Sequence, residues 1–338
     1  MRADVLELLK CPECNAERQL RVSPVSESQY EIVEGLVVCP NCEVSYHIRE
    51  GCADLIPQPS QQTVQERAAQ ATIDARYAIS HPEYKSFCEN GDELRAFVLG
   101  LPDDYPPTAE QAPVVRYAID ALKLKGGETI LDIGAGMCWT TAEFAARGCR
   151  AVAVDLSEIY MPRSRYFCED GRYFDRIWGD MAKLPVASEA FDVVFANAAI
   201  HHSPDLAATA REAARVLKPG GRLVFTDEPV AGPYERKRLA LFGAEEIEDG
   251  VNENIYTIAQ WRAALESAGF ETRFDIVCAG IDRKVASRRR QGNNGAFRKT
   301  ALAILSIPGI RNLIVKIAKP FALRWYPFNV VIYRRKQG

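Results

Sequence analysis

Residues 130–136 read Ile-Leu-Asp-Ile-Gly-Ala-Gly, and residues 151–155 read Ala-Val-Ala-Val-Asp. An apolar strand runs into Asp132 and the glycine pair Gly134 and Gly136. A helix-forming run follows, and a second apolar strand ends on Asp155. This is the grammar of strand, tight turn, helix and strand, with a carboxylate at the tip of the second strand. Such a carboxylate is placed to grip ribose hydroxyls, so a nucleoside-bearing cofactor is the leading expectation.

The same alternation continues outward. Residues 128–133, 150–154, 174–178, 191–196, 221–227 and 271–277 are strand-like, with helix-like pieces between them. That pattern predicts an α/β fold, a doubly wound Rossmann-like sheet covered on both faces. Ligands of such sheets bind outside the carboxyl ends of the strands. Those ends are polar here. Gly179-Asp180-Met181 follows the third strand, Asn197-Ala-Ala-Ile-His201-His202 ends the fourth, and Thr226-Asp227-Glu228-Pro229 ends the fifth. One Gly-x-Gly is weak evidence; five consistent strand ends in order are strong.

Residues 110–230 resemble the class I S-adenosylmethionine-dependent methyltransferases, and especially the group containing the ubiquinone and menaquinone methyltransferases. The resemblance is carried by Leu-Asp-Ile-Gly-Ala-Gly, Gly-Asp-Met-Ala-Lys-Leu-Pro, Phe-Asp-Val-Val-Phe-Ala-Asn and Ala-Ala-Arg-Val-Leu-Lys-Pro-Gly-Gly-Arg-Leu. A nicotinamide-binding enzyme would account for the glycine turn, but not for Asp180 or the Lys218-Pro-Gly-Gly221 turn. The resemblance implies that Gly134 and Gly136 let the backbone approach the methionine portion, and that Asp132 orients that loop or the amino group. It implies that Asp155 accepts from the ribose hydroxyls and Asp180 from the adenine amino group. Met181 and Leu156 would lie beside the ring, and Asn197 under the sulfonium. One departure is Cys138, where the family often has a third glycine.

At the other end, Cys11-Pro-Glu-Cys14 and Cys39-Pro-Asn-Cys42 form two Cys-x-x-Cys knuckles around a hairpin-like alternation. Four thiolates from two tight turns close a tetrahedron around zinc, so Cys11, Cys14, Cys39 and Cys42 are read as ligands of a structural zinc. Four free cysteines in a small core are the alternative. His47 and Cys52 are unnecessary as ligands, and the remaining cysteines are read as packing residues. Residues 4–58 resemble the small zinc-ribbon domains related to the activator subunit of tRNA and protein methyltransferases, which implies an accessory module.

The expected organisation is a zinc ribbon over 1–58, a linker and helical cap over 59–108, and a methyltransferase domain over 109–338. Helices are expected at 63–79 and 109–124, with Tyr77 and Tyr84 as candidate cap residues. Residues 328–335 read as a last, antiparallel strand, which makes 279–327 an insertion. Residues 281–338 carry 14 Lys and Arg against the single acid Asp282, whereas the rest holds 28 basic and 44 acidic side chains. Within the insertion, 283–299 are basic, and Ile310, Leu313, Ile314, Ile317 and Phe321 share one helical face. A membrane surface is therefore a candidate partner for 283–326, beside a lid or dimer contact packed on the body and RNA. No apolar run has the length of a membrane span, the start does not read as a secretory signal, and ten cysteines without one argue for reduced thiols. A cytoplasmic place, with membrane association through the insertion, is the expectation.

Methyl transfer is an in-line displacement in which alignment matters most, and a base helps when the acceptor is a hydroxyl. His201, His202, Asp227 and Glu228 are the candidates, although a His pair also serves to end a strand and Asp227-Glu228 reads equally as base, substrate clamp or metal ligand. The leading expectation is a methyltransferase for a small-molecule or lipid-linked acceptor, glycans included. The alternatives are an RNA methyltransferase with a zinc-ribbon RNA-binding module, which the acidic body disfavours, and an inactive cofactor-binding regulator. The acceptor atom and the oligomeric state are not legible.

Overall fold

A computed structural model describes residues 1–56, 58, 59, 61–80, 91–231, 254–275, 304, 307, 309, 310, 313, 314, 316, 317 and 330–335. Four short strands come first: β1 (Arg21–Glu27), β2 (Ile32–Val38), β3 (Ser45–Arg49) and β4 (Cys52–Asp54). The doubly wound part follows with β5 (Thr129–Ile133), β6 (Arg150–Asp155), β7 (Asp175–Trp178), β8 (Phe191–Asn197) and β9 (Leu217–Thr226). A two-stranded parallel pair, β10 (Val230–Ala231) and β11 (Tyr256–Thr257), precedes β12 (Phe270–Asp275) and β13 (Val330–Arg335). The alternating strands expected from sequence are thus found within a few residues of their expected bounds. β9 starts earlier, at Leu217, because residues 218–221 form an irregularity between the Phe191–Leu217 and Val193–Arg222 pairs.

Strand order is β1-β2-β3-β4-β7-β6-β5-β8-β9-β13-β12. β5 pairs in parallel with β6 on one side and β8 on the other, so the strand order reverses there and a crevice opens at the carboxyl ends. The inner strands are apolar and β-branched and buried on both faces, as a parallel sheet between helices requires. β13 runs antiparallel to both β9 and β12, as the last strand was expected to do.

The sheet does not stop where the alternation begins. β4 pairs in parallel with β7 through Cys52–Arg176, Ala53–Ile177 and Asp54–Trp178, so the N-terminal strands continue the same sheet. One core runs through both parts: Val5, Leu9, Val37 and Ile48 pack in the cluster that holds Leu131, Val154 and Ile177. A buried ionic knot crosses the junction. The fully buried Arg176 of β7 pairs with Glu31, whose other oxygen accepts from the Met1 amine at 2.9 Å. The Arg176 guanidinium also donates to the Met161 and Pro162 carbonyls, each at 3.3 Å.

Helices α1 (Gln61–Ser80), α2 (Gly91–Gly100) and α3 (Pro106–Leu122) lie between the two parts in sequence. The second was not expected from a stretch mixing proline, glycine and acids. Asp92 and Glu93 in its first turn suit the helix dipole, and Leu94 and Val98 bury one face. Next come α4 (Trp139–Ala145), α5 (Tyr160–Arg163), α6 (Arg165–Glu169), α7 (Leu206–Val216) and α8 (Ile258–Ser267). The Asp205 side chain caps α7 by accepting from the Ala208 amide at 2.9 Å, and Thr257 and Gln260 form a capping box on α8. The Tyr77 side chain, Tyr84, the segment 232–253, residues 283–299 and most of 300–326 lie outside the described residues.

Candidate functional site

A cavity of about 200 Å³ opens at the carboxyl ends of β5, β6 and β8. The turn after β5 forms one wall. Gly134 sits at φ +66°, and a Cβ there would stand 2.3 Å from the Ala199 Cβ, so only glycine fits. Gly136 sits at φ +52°, with open space where a side chain would be. Its amide donates to Asp155 Oδ2 at 2.8 Å, and the Ser157 amide donates to Oδ1 at 2.7 Å. Each Asp155 oxygen thus takes one backbone proton, and the carboxylate is fixed at the cavity wall beside Leu156. Burial pushes the Asp155 pKa up, and the Gly136, Ser157 and Leu156 amides pull part of the way back.

Asp132 lies below the turn and is buried. Its Oδ2 accepts from the Thr140 and Thr141 hydroxyls at 2.5 and 2.6 Å, tying β5 to the start of α4, and its Oδ1 is buried with no hydrogen-bond partner. Burial pushes its pKa up to about 7 against the pull of both hydroxyls, and the Asp155 charge adds to the rise. Cys138, the departure from glycine, sits at φ +59° with its thiol buried. That is the conformation a glycine adopts freely and a side chain adopts at a cost of about 1 kcal/mol. Ala198 (φ +49°) and Asp227 (φ +53°) are left-handed as well, so non-glycine strain gathers at this edge of the sheet.

Beyond β7, Met181 lines the cavity, while Asp180 Oδ1 accepts from the Ala182 amide at 2.7 Å and shapes that turn. Asn197 lies apart from the lining: its amide donates to Gln111 at 2.8 Å and its carbonyl accepts from Thr226 at 2.8 Å. Ala198 and Ala199 line the wall next to it. His202 lines the cavity, and its ring centroid is 4.1 Å from that of the buried His201. Glu228, fully buried, holds this turn. Its Oε1 accepts from the Ala199 and Ile200 amides, both at 2.9 Å; its Oε2 accepts from the His201 amide at 3.1 Å and lies 2.9 Å from His201 Nδ1. Burial works against this carboxylate, but His201 and the amides prevail and hold its pKa below the usual value.

The far wall is built by Glu66 and Gln70 on α1, within the stretch expected as a helical cap, and by Tyr160, and sequence reasoning named none of these three residues. Their i, i+4 spacing puts Glu66 and Gln70 on one helix face, but nothing in sequence says which sheet edge that face covers. The helix is held in place by charge. Arg67 reaches Asp54 at 3.4 Å and Glu158 at 3.0 Å, Arg49 shares both acids, and Asp74 pairs with Arg163 at 3.1 Å.

The four N-terminal cysteines come together, with their sulfurs all within 4.8 Å of one another. Cys11 and Cys42 Sγ are 3.7 Å apart, and Cys14 and Cys39 Sγ are 3.6 Å apart. A tetrahedron with zinc–sulfur bonds of about 2.3 Å has edges of about 3.8 Å, so the cluster is compatible with zinc.

Two family models match the chain: one described as "Methyltransferase domain" over residues 131–225, and one described as "Trm112p-like protein" over residues 2–51. Among curated relatives, the 27-O-demethylrifamycin SV methyltransferase of Amycolatopsis mediterranei (strain S699) is 30% identical over 201 residues, 56% of this chain and 72% of that one. The demethylmenaquinone methyltransferase of Corynebacterium efficiens is 36% identical over 112 residues, 33% of this chain. Only 46% of that relative's length is spanned. Among solved structures, phosphoethanolamine N-methyltransferase 2 of Haemonchus contortus in complex with S-adenosyl-L-methionine aligns at a TM-score of 0.49 and 16% identity, covering 72% of this chain and 60% of that one. The chain belongs to the S-adenosylmethionine-dependent methyltransferases and carries an N-terminal Trm112p-like domain.

Proposed function

We propose that the protein methylates a hydroxyl group of a small-molecule or lipid-linked acceptor. The observation that carries this reading is His202 on the cavity wall, backed by His201, whose ring Glu228 holds through Nδ1. The rifamycin relative, named for an O-methylation, supports the choice of oxygen. S-adenosylmethionine bound in the cavity supplies an activated methyl group. Asp155 would accept from the ribose hydroxyls, and Asp180 and Met181 would frame the adenine. Gly134 and Gly136 leave room for the methionine portion, and Asp132 keeps their turn in place through Thr140 and Thr141.

His202 takes the acceptor proton as the new bond forms. Glu228 has no capacity left for that task, since each of its oxygens already serves two groups. It acts as a positioning residue that fixes the turn from Ala199 to His201. Asp227, set by its left-handed backbone at the same edge, is the candidate to hold the acceptor.

His202→Ala is expected to lower kcat about 10²- to 10⁴-fold while changing cofactor affinity far less. Steady-state kinetics beside calorimetry check this, and an unchanged kcat would remove His202 from the chemistry.

Cys11, Cys14, Cys39 and Cys42 hold a structural zinc in the same proposal, with no ligand position left for chemistry. Metal analysis should find one zinc per chain. Because β4 is a strand of the main sheet, chelation should lower the melting temperature of the whole chain in one transition, by more than about 10 °C. A separate early transition, or none, would mean that the ribbon does not support the body.

A further inference from the structure

Two carboxylates line the cavity among the described residues, Asp155 and Glu66. Asp155 stands at the end of β6, fixed by the Gly136 and Ser157 amides. Glu66 comes from α1, outside the doubly wound part, and is half-buried. Its place over the sheet follows from its neighbours. Arg67, the next residue, pairs with Asp54 at 3.4 Å and Glu158 at 3.0 Å. Asp54 ends β4 and is the register partner of Trp178, the last residue of β7. Further along α1, Asp74 pairs with Arg163 of α5. The helix thus enters over the β4–β7 end of the sheet and runs toward α5.

The lining follows the strands in the same direction. Gly134 and Gly136 come after β5, Asp155 and Leu156 end and follow β6, and Gly179 and Met181 come after β7. A cofactor with its methionine portion at the glycine turn and its ribose at Asp155 carries its base onward, to β7 and Glu66. Ala199 and His202 follow β8, on the other side of β5, so Glu66 stands at the end away from the transferred methyl group. Asp180, which the resemblance assigns to the adenine amino group, is not among the lining residues, and its Oδ1 accepts from the Ala182 amide at 2.7 Å.

We propose that Glu66 reads the base, its carboxylate accepting from the exocyclic amino group of the adenine. The proposal rests on the reading of the cavity as the S-adenosylmethionine site. It deepens that reading by moving recognition of the base from the sheet edge to a helix that precedes the domain. An ionised carboxylate only accepts, so it favours an amino group and repels a carbonyl oxygen at the same ring position.

The test is calorimetry of the full chain with S-adenosylhomocysteine and with S-inosylhomocysteine, in which a carbonyl oxygen replaces the amino group. The wild type should bind the adenine compound about 10- to 100-fold more tightly, the effect of one hydrogen bond to a charged group. Glu66→Gln offers an amide N–H to the carbonyl oxygen and should bring the two affinities within about 3-fold. Asp180→Asn should keep most of the wild-type preference. Circular dichroism establishes that both variants fold. An undiminished preference in Glu66→Gln, a preference lost in Asp180→Asn instead, or equal binding of the two compounds by the wild type would overturn the proposal. Binding of neither compound by the wild type would overturn the reading of the cavity itself, and the proposal with it.

Discussion

Asp155→Ala is expected to raise the dissociation constant for S-adenosylmethionine at least ~100-fold, the largest single loss of cofactor affinity in the chain. The side chain has two tasks. It organises the wall by accepting from the Gly136 and Ser157 amides, and each oxygen keeps capacity for a ribose hydroxyl. Two hydrogen bonds to a charged acceptor contribute roughly 3–6 kcal/mol together, which sets the expected factor. Alanine removes both and leaves two cavity amides without acceptors. Asp155→Asn keeps the shape but presents only one acceptor oxygen, so an intermediate affinity should result. Calorimetry reads both variants, with circular dichroism to establish that they fold. Wild-type affinity in Asp155→Ala would refute the placement of the cofactor.

Among the substitutions considered, Arg176→Ala should produce the largest loss of stability. Arg176 is fully buried on β7, paired with Glu31, and bonded to two carbonyls of α5. Removing one partner of a buried pair leaves the other charge uncompensated and costs about 3–5 kcal/mol. Here the Met1 amine remains near Glu31, which favours the lower end of that range. For a chain of this size that loss lowers the melting temperature by about 4–7 °C. The double variant Arg176→Met/Glu31→Gln should recover part of the loss, because it no longer strands a buried carboxylate. A single-variant loss below about 1 kcal/mol would show that the knot does not hold the N-terminal strands to the body.

The strand ends were legible because each couples an apolar run to a polar residue that water or ligand must satisfy. Asp132, the glycine pair, Asp155 and Met181 therefore fell where the alternation put them. The cysteine cluster was legible because two knuckles leave four thiols few other uses. The junction was not. A three-residue strand such as Cys52–Asp54 carries no periodicity that would reveal its partner, and the reading as an accessory module did not anticipate its pairing with β7. The far wall was hidden for a related reason. Glu66 and Gln70 are ordinary helix-surface residues until the Arg67 and Asp74 ion pairs set which face looks inward. For Glu228 the sequence left base, clamp and metal ligand open. Only its three backbone donors and the His201 ring distinguish an anchor from a base, and none of these is encoded nearby in the chain.

The most direct test of the account is transfer from S-adenosylmethionine carrying a ¹³C-labelled methyl group into an extract, with the products separated into RNA, protein, lipid and small-molecule fractions. The account predicts label in the lipid or small-molecule fraction, on oxygen, with transfer lost in His202→Ala. Label confined to RNA or protein, or attached to carbon or nitrogen, would contradict it.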